Sequence, residues 1–315
     1  MGESEKWMFR RMVEQMVGFT GVGCVTFCIL GNHFHLLLEV RDEEQIRFAK
    51  EAEEGRDDAE VCRRVGMLSG KNGGKNVAAA LAKELAGLRA AGKGAEAWAL
   101  LRPLVRRMGD LSVFVKELKW RFSAWYNEKS GRVGTLWESR FRSVLVEPGE
   151  ALKAVAAYID LNPVRAGLAT DPKDYRFCGY GEAVAKGGHA RDGLARVVGD
   201  GEDEVPWKVI LSRYRLLLYG RGGQRRDGSG AVVRHGVSEE AAREVEEAGG
   251  ALSLQALLRC RVRYMTEGAA LGSREFLERL LEGRPEFFGR RRKSGGTKMR
   301  GGDWGGLCAV RDLKG

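Results

Sequence analysis

Histidine is scarce in this chain: there are four in 315 residues. The six cysteines, at 24, 28, 62, 178, 260 and 308, show no paired CxxC spacing. That absence argues against a zinc ribbon or a disulfide framework and fits a reducing cytoplasm. Cys24 and Cys28 fall inside an apolar strand-like run, where cysteine acts as a small buried hydrophobe. No apolar stretch approaches membrane-spanning length. The opening "MGESEKWMFRRMVEQ" is charged throughout and lacks the apolar centre of a signal peptide. A cytoplasmic protein with no membrane partner is expected. Acidic charge is the minority, with 43 Asp and Glu against 53 Lys and Arg, net +10 and pI near 9.4. An excess of that size favours a polyanionic partner, nucleic acid above all.

Periodicity predicts a helix over residues 3–17, carrying Phe9, Met12, Val13 and Met16 and closed by Gly18. "VGCVTFCIL" reads as a strand, Gly31-Asn32 as a turn and "HFHLLLEV" as the returning strand. Residues 44–108 are rich in Ala, Glu, Lys, Arg and Gly and read as a helical insertion. Its "SGKNGGKN" suggests a phosphate loop, but the spacing fails and Asn76 follows Lys75 where Ser or Thr is required. Asp110 is placed to cap an amphipathic helix presenting Leu111, Phe114, Leu118, Phe122 and Trp125. Residues 140–147 read as a further strand. A helix then runs through "ALKAVAAYIDL" and ends at Asn162-Pro163, because the residue before proline is pushed out of helical geometry. Beyond about residue 180 the chain is basic and glycine-rich, with helices expected from Ser238, around 252–265 and around 273–282. No internal repeat is present.

Two of the four histidines, His33 and His35, sit two apart at the start of a strand. Alternation along a strand points both imidazoles to one face while Phe34, Leu36 and Leu38 point to the other. Such a pair is half of a metal site, or simply two part-exposed side chains at a strand end. Tyr158 and Asn162 are four apart, one turn along the same helical face. Singly, a helical tyrosine serves packing, and asparagine before proline stops a helix. Together with the histidine pair they suggest an oxygen ligand, Asn162, beside a phenol, Tyr158. Two imidazoles and an amide oxygen would leave positions open for phosphate oxygens on Mg²⁺ or Mn²⁺.

The ordered set "CILGNHFHLLLEV", "YNEKSGRVGTLWESRFRSVLVE" and "YIDLNPVRAGL" resembles the REP-associated tyrosine transposases, single-tyrosine members of the HUH endonuclease superfamily. The resemblance covers roughly residues 5–180, interrupted by the insertion. It implies a ferredoxin-like α+β fold, an antiparallel sheet with helices on one face. It matches His33, His35 and Asn162 to the metal ligands and Tyr158 to the nucleophile. In that family the tyrosine attacks single-stranded DNA, often beside a hairpin, forming a 5′-phosphotyrosine and releasing a 3′-hydroxyl. Relatives work as monomers or as homodimers. Arg132, Arg140 and Arg142, lying between the motifs, are candidate phosphate contacts, although charged residues at a strand end would look the same. The cluster Arg290, Arg291, Arg292 and Lys293 is a candidate for sequence-independent DNA affinity, or a solvated tail.

The expected organisation is a catalytic domain over 1–180, with the insertion at 44–108, followed by a basic and mostly helical extension over 181–315. The family's sheet begins with a strand ahead of the first helix. Here that helix starts almost at Met1, so the strand is expected upstream, or replaced by another segment, or lost. Two other functions remain open on sequence: a non-catalytic or domesticated nucleic-acid-binding protein on the same scaffold, and an unrelated metallohydrolase that leaves Tyr158 idle.

Overall fold

The computed structural model describes residues 1–199, 201–202, 204–219, 258, 262–288, 296–299 and 303–310. It is a mixed α/β chain whose contacts divide it into two compact units. One comprises residues 1–24 and 38–140, the other 25–37 and 141–315. This division by contacts is a different one from the 180/181 boundary expected from the sequence. Among the described residues no helix is long and apolar enough to cross a membrane.

The first unit is helical. Helix α1 (Glu3–Thr20) buries Phe9, Met12, Val13, Met16 and Phe19 on one face. It runs past Gly18 and closes at Gly21, whose φ of 71° lets its amide reach the Val17 carbonyl at 3.0 Å. Gly18 has a packing role instead, since a Cβ there would lie 2.6 Å from the Met67 side chain. The expected insertion is four helices: α2 (Asp42–Glu53), α3 (Asp58–Met67), α4 (Gly70–Ala90) and α5 (Gly94–Val105). The glycines of "SGKNGGKN" lie in the first turns of α4, and a Cβ on Gly74 would stand 2.1 Å from the Gly66 carbonyl oxygen of α3. Close backbone approach of two helices accounts for this glycine-rich stretch. Helix α6 (Leu111–Ser130) is capped by Asp110, whose carboxylate accepts from the Val113 amide at 2.9 Å. Its Phe122 meets Phe9 of α1 edge to face, ring centroids 5.1 Å apart.

The histidine-bearing hairpin, whose residues 25–37 belong to the second unit, pairs β1 (Gly23–Ile29) with β2 (Phe34–Glu39). The edge of β1 is partly covered: the Ile29 amide donates to the Phe177 carbonyl at 2.9 Å, and Cys28 bridges Cys178. Helix α7 (Glu150–Asp160) is buried on nearly every side, its Ala151, Ala154, Ala156 and Ala157 allowing neighbours to come close. It ends as proline requires, but Asn162–Arg165 resumes at once as a short helix, α8, with Pro163 in its first turn. Around them lie α9 (Gly179–Ala185), α10 (His189–Val198) and α11 (Trp207–Tyr219).

One sequence expectation needs correction. Of the strand expected over 140–147, only β3 (Leu145–Val146) forms, and residues 140–142 are exposed with no regular structure. Beyond α10 and α11, the C-terminal extension adds short strands to its helices, which the sequence did not lead one to expect. It has helices α12 (Tyr264–Glu267) and α13 (Arg274–Gly283), but also strands β4 (Ala270–Gly272), β5 (Thr297–Lys298) and β6 (Cys308–Val310). These join β3 in a sheet of order β3-β4-β6-β5, with β3 parallel to β4 and the other pairs antiparallel. Strands of two or three residues are too short for alternation to reveal. Glu147 ties this sheet to α13, accepting from the Ser273 amide at 2.5 Å and hydroxyl at 3.0 Å. No disulfide joins the described cysteines 24, 28, 62, 178 and 308. The helix expected from Ser238 and most of that around 252–265 lie outside the described residues.

Candidate active site

The hairpin turn delivers both imidazoles as alternation predicts. The rings of His33 and His35 are 5.1 Å apart, edge to face. His33 is exposed, and its Nδ1 lies 2.8 Å from the Asn32 side-chain oxygen. An amide oxygen only accepts, so in that contact the proton sits on Nδ1. His35 is half-buried. Burial, then the charges of His33 and Arg165, push its pKa down to about 4, so its imidazole is neutral at pH 7.

Helix α7 supplies the phenol. Tyr158 is 3% exposed, and its ring centroid lies 6.3 Å from that of His35. The Arg165 guanidinium stacks over the ring, its carbon 3.9 Å from the centroid. Two hydrogen bonds hold that guanidinium, one to the Tyr158 carbonyl at 2.5 Å and one to the Leu258 carbonyl. One turn on, Asn162 is 7% exposed. Its side-chain nitrogen donates to the carbonyls of Tyr158 at 3.3 Å and Ile159 at 3.2 Å. The donor half of the amide is therefore spent on the backbone, and the oxygen is the atom a cation would use.

As a donor set, two imidazoles and one amide oxygen suit a divalent cation held weakly and completed by substrate oxygens. Among the described residues no three His, Cys, Asp or Glu side chains group as a metal site. The proposed set holds only two of those types and depends on the amide for its third donor. Arg165 adds positive charge on the same side, which disfavours a cation until phosphate arrives.

Between Tyr158 and Asn162 stands a residue the sequence reading passed over. Asp160 is wholly buried. Its carboxylate accepts from the Thr26 hydroxyl at 3.0 and 2.9 Å, the Tyr180 amide at 3.0 Å and the Tyr214 hydroxyl at 2.5 Å. Burial pushes its pKa up to about 6 against the pull of these donors. The Tyr180 and Tyr214 rings stack at 5.5 Å, and the Tyr180 hydroxyl accepts from Arg215, itself 3.3 Å from Asp171. The signal for Asp160 was a lone carboxylate within the apolar run "AVAAYIDL". Arg165 stood in "NPVRAGL" with nothing in its spacing to mark it.

The remaining candidates separate. Arg132, Arg140 and Arg142 are exposed and outside any helix or strand. Arg132 and Arg140 belong to the first compact unit, Arg142 and Tyr158 to the second. Arg290, Arg291, Arg292 and Lys293 lie outside the described residues. No protein-family model matches this chain, and neither does any curated protein or any solved structure.

Proposed function

We propose that the chain is a transposase of the tyrosine HUH kind, a metal-dependent single-stranded DNA endonuclease and strand transferase. The observation that carries this reading is one cluster: two imidazoles 5.1 Å apart, with a phenol ring 6.3 Å from the second. A metallohydrolase would have no use for that phenol, and a binding scaffold would have no use for a phenol set beside paired imidazoles. His33, His35 and Asn162 would hold Mg²⁺ or Mn²⁺, which when bound would polarise a phosphate and offset charge developing on its oxygens. Tyr158 attacks phosphorus, forming a 5′-phosphotyrosine as the P–O3′ bond breaks, and the leaving 3′ oxygen takes up a proton. The phosphodiester energy is kept in the protein–DNA bond, so rejoining needs no nucleotide triphosphate.

A phenol 3% exposed is approached by DNA only when its neighbours shift. Arg165 is the neighbour that gains most by shifting, since a phosphate oxygen replaces an aromatic face with a charged partner. Arg132, Arg140, Arg142 and the Arg290–Lys293 cluster belong to the same reading as backbone contacts. So do the ferredoxin-like sheet, hairpin DNA as substrate and a monomer or homodimer as the working form.

The test is one denaturing gel. Incubation with single-stranded hairpin DNA and Mn²⁺ should yield a covalent adduct that Tyr158→Phe abolishes and Tyr126→Phe retains. Tyr126 is half-buried, its ring 6.1 Å from Phe122, and serves packing. Cleavage without an adduct would point to a metallohydrolase. Binding with neither would point to a non-catalytic scaffold.

A further inference from the structure

Within the reading above, we propose that Thr26 and Asp160 form a strut that sets the spacing between the histidine hairpin and the tyrosine helix. The two residues are 134 positions apart in sequence and both are buried. Thr26 lies on β1, the strand that pairs with the one bearing His35. Asp160 is the last residue of α7, two after Tyr158 and two before Asn162. Residues two apart on a helix point to opposite sides. Asp160 therefore grips the back of the turn whose front presents Tyr158 and Asn162.

The grip is made from three directions. The Thr26 hydroxyl reaches both carboxylate oxygens, Tyr214 donates from α11 and the Tyr180 amide donates from the start of α9. Of these, only Thr26 comes from the hairpin that carries the imidazoles. The joint is also closed tightly. The backbone at Gly179 passes so near that a Cβ would stand 2.1 Å from the Thr26 oxygen, leaving no room for water between them. A carboxylate held this way transmits the position of β1 directly to the helix end, with no flexible side chain or solvent in between. Reaction rates respond steeply to such spacing, because a misplacement of about 1 Å costs on the order of 100-fold. Thr26 and Asp160 touch no reacting atom in this account and act as positioning residues.

Thr26→Val keeps the shape of the side chain and removes the hydroxyl, while Thr26→Ser keeps the hydroxyl and drops the methyl. The expected result for Thr26→Val is a single-turnover adduct rate lowered about 100-fold, with affinity for hairpin DNA unchanged. Thr26→Ser should restore the rate. A purely structural role would instead lower affinity and rate together. A second readout needs neither metal nor DNA: the nuclear Overhauser contact between the His35 and Tyr158 rings should weaken in Thr26→Val and return in Thr26→Ser. Thr26→Ala replaces Thr26→Val where the latter does not fold. A wild-type rate together with an unchanged ring contact in the hydroxyl-free variant overturns the strut. Absence of any adduct from the wild-type protein would instead refute the transferase reading, and the ring contact then decides the strut alone.

Discussion

Tyr214→Phe removes one oxygen from a wholly buried polar cluster. The Tyr214 hydroxyl donates to the Asp160 carboxylate at 2.5 Å, and both side chains are wholly buried. Hydrogen bonds to a charged group contribute roughly 1.5–3 kcal/mol, against about 1 kcal/mol for a neutral pair. Asp160 retains Thr26 and the Tyr180 amide after the change, so the cost at pH 7.5 should be about 2 kcal/mol rather than that of an orphaned charge. The pH dependence makes the reasoning specific. The folded-state pKa of Asp160, about 6, lies above the 3.8 of an ordinary aspartate. The contribution of this group is therefore full below about pH 4 and is lost as pH rises through 6. Removing a donor to the carboxylate raises that pKa further and deepens the loss, while the protonated acid loses only a neutral hydrogen bond of about 1 kcal/mol. The cost of Tyr214→Phe should therefore shrink from about 2 kcal/mol at pH 7.5 to about 1 kcal/mol at pH 5. Urea titration at both pH values, with hydrogen exchange of the α7 amides reporting the same unit, measures it. An equal cost at the two pH values would refute a charged Asp160, and a cost below about 0.5 kcal/mol would refute the hydrogen bond itself.

His35 carries the opposite sign in the same window. Its folded pKa of about 4 lies below the 6.5 of an ordinary histidine, so its contribution is full above 6.5 and lost as pH falls toward 4. In metal-free wild-type protein the two groups should nearly cancel between pH 7 and 5. His35→Gln should expose the Asp160 term, making the variant more stable at pH 5 than at pH 7 by about 1 kcal/mol, and a flat profile there would count against one of the two shifts. Gly179→Ala should cost about 1–3 kcal/mol, because the new methyl meets the Thr26 hydroxyl. Gly87→Ala, on an α4 surface with nothing within 4 Å, should stabilise by about 0.4–1 kcal/mol. Thermal unfolding of the pair distinguishes close approach from ordinary helix propensity.

What the sequence alone determined was local. Three-and-four spacing placed α1 and α6, the Asp110 cap started α6 where expected, and Gly31-Asn32 turned the hairpin. The shared face of His33 and His35, and the helical register of Tyr158 and Asn162, followed from the periods of strand and helix, which any short window of residues reveals. What lay beyond such windows was decided only in three dimensions. Gly18 looked like a helix end, yet Gly21 serves because it takes the positive φ, while Gly18 makes room for the Met67 side chain of α3. Residues 140–147 had strand composition, yet only Leu145 and Val146 found a partner strand, and that partner lies more than a hundred residues away. Asp160 looked like a stray acid in an apolar helix. Its meaning depends on Thr26, Tyr180 and Tyr214, none of them within fifteen residues of it, converging on one buried carboxylate. Periodicity measures how a segment meets a surface. The hydrogen-bond partners of a buried charge are chosen by the packing of distant segments, and no local pattern encodes that choice.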